Sequence, residues 1–177
     1  YIILAVFISG LMVGRTPEFM GKKIEAREMK IAMIVALFHP FLILAGTAIA
    51  TYFPDLGTST LNNPGFHGFS EVLYEYTSSA ANNGSGFEGL GDNNLFWHIS
   101  TGIVLLLGRF LPIIGPVAIA GLLAKKKYIP EGEGTLKTDT STFGLMTFAV
   151  IAIIAALSFF PALALGSIAE YFSMKSL

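Results

Sequence analysis

The sequence predicts an all-α polytopic membrane protein, and three observations carry that prediction. The 177 residues are 53% apolar and only 13% charged, whereas a soluble domain carries about a quarter charged residues. Apolar runs long enough to cross a bilayer recur along the chain, and mean hydropathy is +0.66. The few charges are segregated by sign into separate segments, so the net charge of −1 conceals a strong asymmetry. Cysteine is absent, which excludes disulfides, thiolate metal sites and cysteine nucleophiles.

In chain order, residues 1–13 ("YIILAVFISGLMV") form an apolar run with neither a Met nor a basic flank. They are expected to be the end of a spanning helix in a longer protein rather than a signal peptide. Residues 14–30 ("GRTPEFMGKKIEAREMK") carry Arg15, Lys22, Lys23, Arg27 and Lys30. Residues 31–53 give a first complete span without Asp, Glu, Lys or Arg. Residues 95–123 give a second, interrupted by the single charge of Arg109. Pro112 and Pro116 follow it, which predicts a kink or break just after Arg109. Residues 124–141 carry Lys125, Lys126, Lys127 and Lys137 and read as a flexible basic loop. Within residues 142–172, the run 143–169 again lacks Asp, Glu, Lys and Arg and is expected to be a last spanning helix.

Residues 52–94 contain no Lys or Arg and five acids: Asp55, Glu71, Glu75, Glu88 and Asp92. The positive-inside rule then places segments 14–30 and 124–141 in the cytoplasm and the acidic stretch outside. Helix parity agrees, because two spans separate the basic segments. The acidic stretch is too long for a bare connection. Residues 54–68, rich in Pro, Gly and Asn, read as an irregular outer loop. Residues 69–80 read as a short helix with Ser70 as N-cap and Glu71 in the first turn. At 1.5 Å per residue it is too short to span the bilayer. Entered and left on one side, it is a re-entrant element.

After it comes "AANNGSG". Irregular backbone at membrane depth persists only when buried in protein or lining a wet cavity. The C-terminal, negative end of the short helix points inward and favours a cation. Span, short helix, glycine-containing extended loop and span is the layout of a potassium-channel pore module.

Rival chemistries fare worse. Gly84-Ser85-Gly86-Phe87-Glu88-Gly89 spells G-x-G-x-x-G. A dinucleotide fingerprint needs a preceding strand, a following helix and an acid about 20 residues on. Here a helix precedes, and the next acid after Asp92 is Glu131. An intramembrane serine hydrolase would use Ser85 with His39, His67 or His98 as base. His98, beside Trp97, fits an interfacial aromatic belt instead, and His39, before Pro40, fits a protein-facing helix position.

Three stretches, "GRTPEFMGKKIEAREMK", "TSSAANNGSGFEGL" and "GRFLPIIGPVAIAGLLAKKK", resemble the C-terminal third of the KdpA family, the potassium-transporting subunits of bacterial Kdp ATPase complexes. The resemblance covers essentially the whole chain. It implies a four-repeat potassium-channel-like transporter. Residues 1–13 would end the third repeat. Residues 31–123 would form the fourth: span 31–53, outer loop 54–68, pore helix 69–80, filter 81–86 and span 95–123. The C-terminal helix would be an addition to the repeats. Ala81, Asn82, Asn83, Gly84 and Ser85 would form one quarter of a filter whose backbone carbonyls replace the water around potassium. Gly84 takes the filter glycine position, and Gly86 departs from the Ala common in the family after the filter Ser.

Arg109, a charge in mid-span, is a functional residue by default. The resemblance places it near the pore below the filter, to repel or reposition the cation or to brace a filter loop; a structural ion pair is the alternative. Glu71, Glu75, Glu88 and Asp92 are expected to make the outer mouth negative and gather cations, with Glu71 and Glu75 also able to brace the short helix. Gly14, Arg15, Thr16, Pro17 and Glu18 would form a cytoplasmic gate or partner-binding loop. The chain holds no ATP-hydrolysis motif, so the ATPase activity is expected in a partner, KdpB by resemblance, with KdpC and KdpF completing a complex in the bacterial inner membrane. Potassium is the implied ion, with no organic cofactor and no nucleic-acid partner. A stand-alone potassium channel or ion-coupled transporter of the same superfamily is the alternative.

Overall fold

The computed structural model describes residues 1–130, 132–158 and 160–175. The chain divides into two compact units, one formed by residues 1–37 and 112–156, the other by residues 38–111 and 157–177. The elements in order are α1 (Ile2–Val13), β1 (Glu18–Phe19), β2 (Lys22–Lys23), α2 (Ala26–Tyr52), α3 (Pro54–Gly57), α4 (Phe66–Ala81), α5 (Leu95–Ala124), α6 (Ser141–Ser158) and α7 (Phe160–Lys175). Helices α2, α5 and α6 are long and apolar enough to cross a membrane. They expose large apolar side chains such as Ile34, Leu106 and Phe148. Such faces suit lipid or further protein rather than water.

In the first unit, Leu4, Val6, Ile24, Met29, Ala32 and Ile119 make the core. Helix α1 ends at Gly14 in the left-handed conformation, with the Arg15 amide donating to the Gly10 carbonyl at 2.8 Å. A hairpin follows. Glu18 pairs with Lys23 and Phe19 with Lys22. Met20 and Gly21 both have positive φ, as a two-residue hairpin turn matching strand twist requires.

Residues 124–141, expected to be a flexible loop, make several contacts with the preceding basic segment among the described residues. The Ile129 amide donates to the Gly21 carbonyl at 2.8 Å, and the Thr16 amide to the Gly134 carbonyl at 3.2 Å. Lys126 Nζ reaches Glu25 at 3.0 Å and Glu28 at 2.9 Å. Glu28 is 1% exposed and also accepts from the Glu25 amide, so it caps the first turn of α2 and holds the lysine. Burial opposes the charge on Lys126, but the hydrogen bonds and charges of Glu28 and Glu25 hold its pKa above the ordinary lysine value. The two basic segments therefore meet, and their backbone amides find partners in one another. Glu131 lies outside the described residues.

In the second unit, Leu42, Ile43, Ala50, Val72, Leu73, Tyr76, Ala80, Trp97 and Val104 form the core. Helix α4 is longer than the expected 69–80. Its N-cap is Gly65, not Ser70. Ser70 sits inside the helix, and a side chain at Gly166 of α7 would meet its Oγ. Phe69, Val72, Leu73, Tyr76 and Ala80 form the apolar stripe toward the core, while the residues added before Phe69 meet α7, where a Cβ on Gly166 would lie 3.1 Å from the Phe66 carbonyl oxygen.

Trp97 departs from the aromatic-belt expectation. It is 1% exposed, packs 5.6 Å from the Tyr76 ring and donates Nε1–H to Thr60 Oγ1 at 3.2 Å. A buried indole whose N–H is satisfied is a core residue. Neighbouring His98 is exposed.

Helix α5 continues through both Pro112 and Pro116, so no break follows Arg109. Prolines are tolerated in spanning helices where neighbouring groups satisfy the freed backbone. The predicted last helix over 143–169 includes Phe159, which lies outside the described residues; helix is present on either side of it. Helix α7 rests on α4, with Ala162 against the core and His67 Nδ1 3.4 Å from Glu170.

Candidate ion-binding site

The site is built where α4 stops. Helical residues run to Ala81, so the first residue of the expected filter belongs to the helix. Asn82 then adopts the left-handed conformation at φ 60, ψ 32. Asn is among the few side chains that accept this region readily. The Asn82 amide donates to Ser79 O at 3.1 Å and the Asn83 amide to Ser78 O at 3.0 Å. These bonds close the helix and satisfy two of its terminal carbonyls.

Beyond that cap the backbone is irregular and exposed from Asn83 to Gly86. Among the described residues, the carbonyl oxygens of Asn82, Asn83, Gly84, Ser85 and Gly86 accept no hydrogen bond. Backbone carbonyls seek partners. A run of them beside the negative end of a helix offers a cation several oxygen ligands at once.

The side chains of this loop are engaged instead in holding it. Ser85 donates its amide to Ser78 Oγ at 2.9 Å, and its hydroxyl lies 3.1 Å from Ser78 Oγ and 3.2 Å from Tyr74 OH. Its hydroxyl neighbours are thus Tyr74 and Ser78, with no histidine among the described partners, so the serine-nucleophile arrangement is not assembled. Phe87 is held by edge-on contacts to Tyr74 and His67.

Gly84 has φ +73, and nothing lies within 4 Å of where a Cβ would stand. Within this chain its requirement is conformational rather than steric, since a left-handed backbone disfavours side chains.

Arg109 meets this loop. Its Nε donates to Asn82 Oδ1 at 2.8 Å, while Asn82 Nδ2 donates to Ala80 O at 3.2 Å. The approach depends on Gly108. A Cβ there would lie 2.5 Å from Ala80 O, inside any allowed contact. Of Arg109's expected roles, the brace on the loop is the one for which the structure supplies a contact, to Asn82. No carboxylate pairs with Arg109 among the described residues.

The four acids expected to gather cations divide by burial. Glu88 and Asp92 are exposed. Glu71 is fully buried and accepts from the Asn62 amide at 3.2 Å, the Asn63 amide at 3.1 Å and Asn63 Nδ2 at 2.7 Å. A carboxylate so enclosed ties the 54–68 loop to α4 and is not available to a solvated cation. Glu75 is 8% exposed, and its Oε2 has no hydrogen-bond partner among the described residues. A Cβ on Gly86 would lie 3.0 Å from that oxygen. Burial, and after it the charge of Asp92, push the Glu75 carboxyl above the ordinary glutamate range against a hydrogen bond from Ser79.

The expected gate or partner residues form a compact turn. Arg15 donates to the Thr135 carbonyl at 3.0 Å, and Thr135 Oγ1 donates to Glu18 Oε2 at 3.2 Å. Pro17 O accepts the Ile24 amide at 2.9 Å.

Gly108, Ser78 and Tyr74 were not singled out from the sequence. Gly108 stands within "GRFLPIIGP", where only its place before a mid-span Arg hinted at a close approach.

Three apolar helices long enough to cross a bilayer, with a short helix and an open-carbonyl loop between two of them, define a helical membrane protein. The family model of the potassium-transporting ATPase A subunit, KdpA, matches residues 1–172. The chain belongs to the KdpA family. A potassium-transporting ATPase potassium-binding subunit of Flavobacterium johnsoniae is 76% identical over 186 residues, covering 99% of this chain and 32% of the relative. Subunits with the same description match from Phocaeicola vulgatus at 70% over 181 residues (98% of this chain, 32% of the relative) and from Geobacillus kaustophilus at 59% over 175 residues (99% and 31%). The chain spans about a third of the length of these curated relatives.

Proposed function

We propose that this chain contributes one re-entrant filter segment to the potassium-binding subunit of an ATP-driven potassium uptake complex. The observation that carries the reading is the run of unpaired carbonyls from Asn82 to Gly86 at the C-terminal end of α4. Such oxygens replace hydration water around a cation of low charge density without the fixed charge that would trap it. Asn83 and Gly84 are the central ligands, Ser85 and Asn82 hold the strand in place, and Arg109 braces it through Asn82. Segments equivalent to α2–α4–α5 in the remainder of the subunit would complete a four-repeat filter. Glu88 and Asp92 would face the outside and draw cations toward it.

In this reading the basic segments around Lys22 and Lys126 face the cytoplasm of a bacterial inner membrane. The loop from Gly14 to Glu18 closes the path below the filter or contacts a partner. ATP hydrolysis belongs to a separate ATPase subunit. The names of the relatives support both potassium and an ATPase complex.

The test is purification of the full-length subunit from its host. The reading expects co-elution with an ATPase subunit and ATP hydrolysis stimulated by potassium but not by sodium. A solitary oligomer that conducts potassium without ATP would overturn the complex and favour a channel.

A further inference from the structure

The first unit contains a cavity of about 240 Å³ at the junction of α1, the Arg15 turn and the start of α6. Its polar wall carries Arg15, Lys137, Thr140 and Thr142, together with Ser9. Ser9 is fully buried, and its hydroxyl has no hydrogen-bond partner among the described residues. Arg15 spends one guanidinium N–H on the Thr135 carbonyl, and neither it nor Lys137 pairs with a carboxylate among the described residues. Thr140 caps α6 by accepting the Phe143 amide at 3.2 Å. The first turn of this 18-residue helix therefore presents its positive end at the cavity. Two cations, a helix N-terminus and spare hydroxyls converge on one space.

The remaining wall is apolar: Val13, Leu136, Phe143 and Met146. The same two helices also expose apolar side chains, Met12 on α1 and Leu145 and Phe148 on α6. A free inorganic anion would gain nothing from those surfaces. An amphiphile would use both.

We infer that the cavity lined by Ser9, Arg15, Lys137 and the α6 N-terminus is a headgroup site for an anionic phospholipid, whose acyl chains lie along α1 and α6. The phosphodiester takes the Arg15 and Lys137 N–H groups, and the Ser9 and Thr142 hydroxyls are in place to donate to its oxygens. The site lies among the basic segments, where an anionic membrane surface is attracted electrostatically. The inference is independent of the potassium reading, because its readout is lipid retention rather than transport.

The experiment is native mass spectrometry of the full-length, delipidated subunit with its co-purifying partners, after addition of phosphatidylglycerol or phosphatidylcholine. Phosphatidylglycerol should be retained in preference. Lys137→Ala should weaken that retention about fivefold, the effect of one basic side chain at an anionic membrane surface. Lys137 is exposed and has no side-chain hydrogen bond or ion pair among the described residues, so this variant keeps the fold if Arg15→Ala does not. Met146→Trp, which fills the space without changing charge, should also weaken it. Lys125→Ala with Lys127→Ala, a larger charge change outside the cavity, should leave it nearly unchanged. Equal retention of the two lipids, equal loss in the Lys125/Lys127 variant, or displacement of the lipid by glycerol phosphate at matching concentration would each overturn the assignment.

Discussion

The Arg109 guanidinium donates from Nε to the side-chain amide oxygen of Asn82 at 2.8 Å, so the mid-helix charge of α5 is spent on the residue at which α4 gives way to the open loop. Asn82 is left-handed, and its other amide atom is held by the Ala80 carbonyl. The corner is therefore locked from two sides. A hydrogen bond to a charged donor contributes about 1.5–3 kcal/mol.

This coupling is testable by a double-mutant cycle in the full-length protein. Arg109→Gln and Asn82→Ala should each weaken potassium affinity about tenfold. The double variant should be little worse than either, with an interaction energy of roughly 1–2 kcal/mol. Additive losses would show that the two residues act separately.

At Gly84 the positive φ of +73, with open space around it, separates conformation from packing. Gly84→Ala should cost on the order of 1–2 kcal/mol at the loop and raise the potassium concentration for half-maximal uptake about tenfold. Subunit assembly should stay normal. Gly84→Asn should be milder, because Asn tolerates this region. Potassium dependence unchanged in the alanine variant would remove the loop from the ion path.

Gly108 should behave differently, since the obstacle there is backbone. A Cβ 2.5 Å from Ala80 O pushes α5 off the end of α4. Gly108→Ala should lower stability by about 1–3 kcal/mol, the usual range for overpacking. It should also reproduce the affinity loss of the Arg109 variant, because the guanidinium moves with its helix. Thermal unfolding and potassium titration measured together check both effects.

Lys126 holds the buried Glu28 carboxylate. Lys126→Met should destabilise the protein by roughly 1–3 kcal/mol by leaving that carboxylate without its charged donor. Adding Glu28→Gln should recover part of the loss. The pH dependence has a definite sign. The folded pKa of Lys126 lies above the ordinary value of 10.5. Its stabilising contribution is thus fully present below that value and fades only as the pH rises through the higher folded pKa. The stability gap between the native and Lys126→Met proteins should stay constant through neutral pH, narrow in strong alkali as Lys126 loses its proton, and narrow again in acid as Glu28, held against burial below the ordinary glutamate value in part by Lys126, gains one. A gap that already narrows near neutral pH, where both Lys126 and Glu28 are charged, would separate the effect from this pair.

Much of this was legible in the chain itself. Length and absence of charge over residues 31–53 and 95–123 marked two spans, because a bilayer imposes a length and a polarity on any helix that crosses it. The short amphipathic run between them, ending in "AANNGSG", marked a helix that stops before a loop. The sharing of one end by the two basic segments followed from counting spans.

What the sequence by itself determined is therefore the helical membrane class, the order of the long apolar helices and the place of the open loop. These follow from local composition and period. The tertiary structure decided which polar groups hold that loop and which are free to act. It buried Glu71 and Trp97, which composition alone assigns to a surface. It joined Arg109 to Asn82 across 27 positions and Lys126 to Glu28 across 98. Pairings over such separations depend on how helices lie against one another, and on a close approach that one missing Cβ at Gly108 permits. No local pattern encodes that distance.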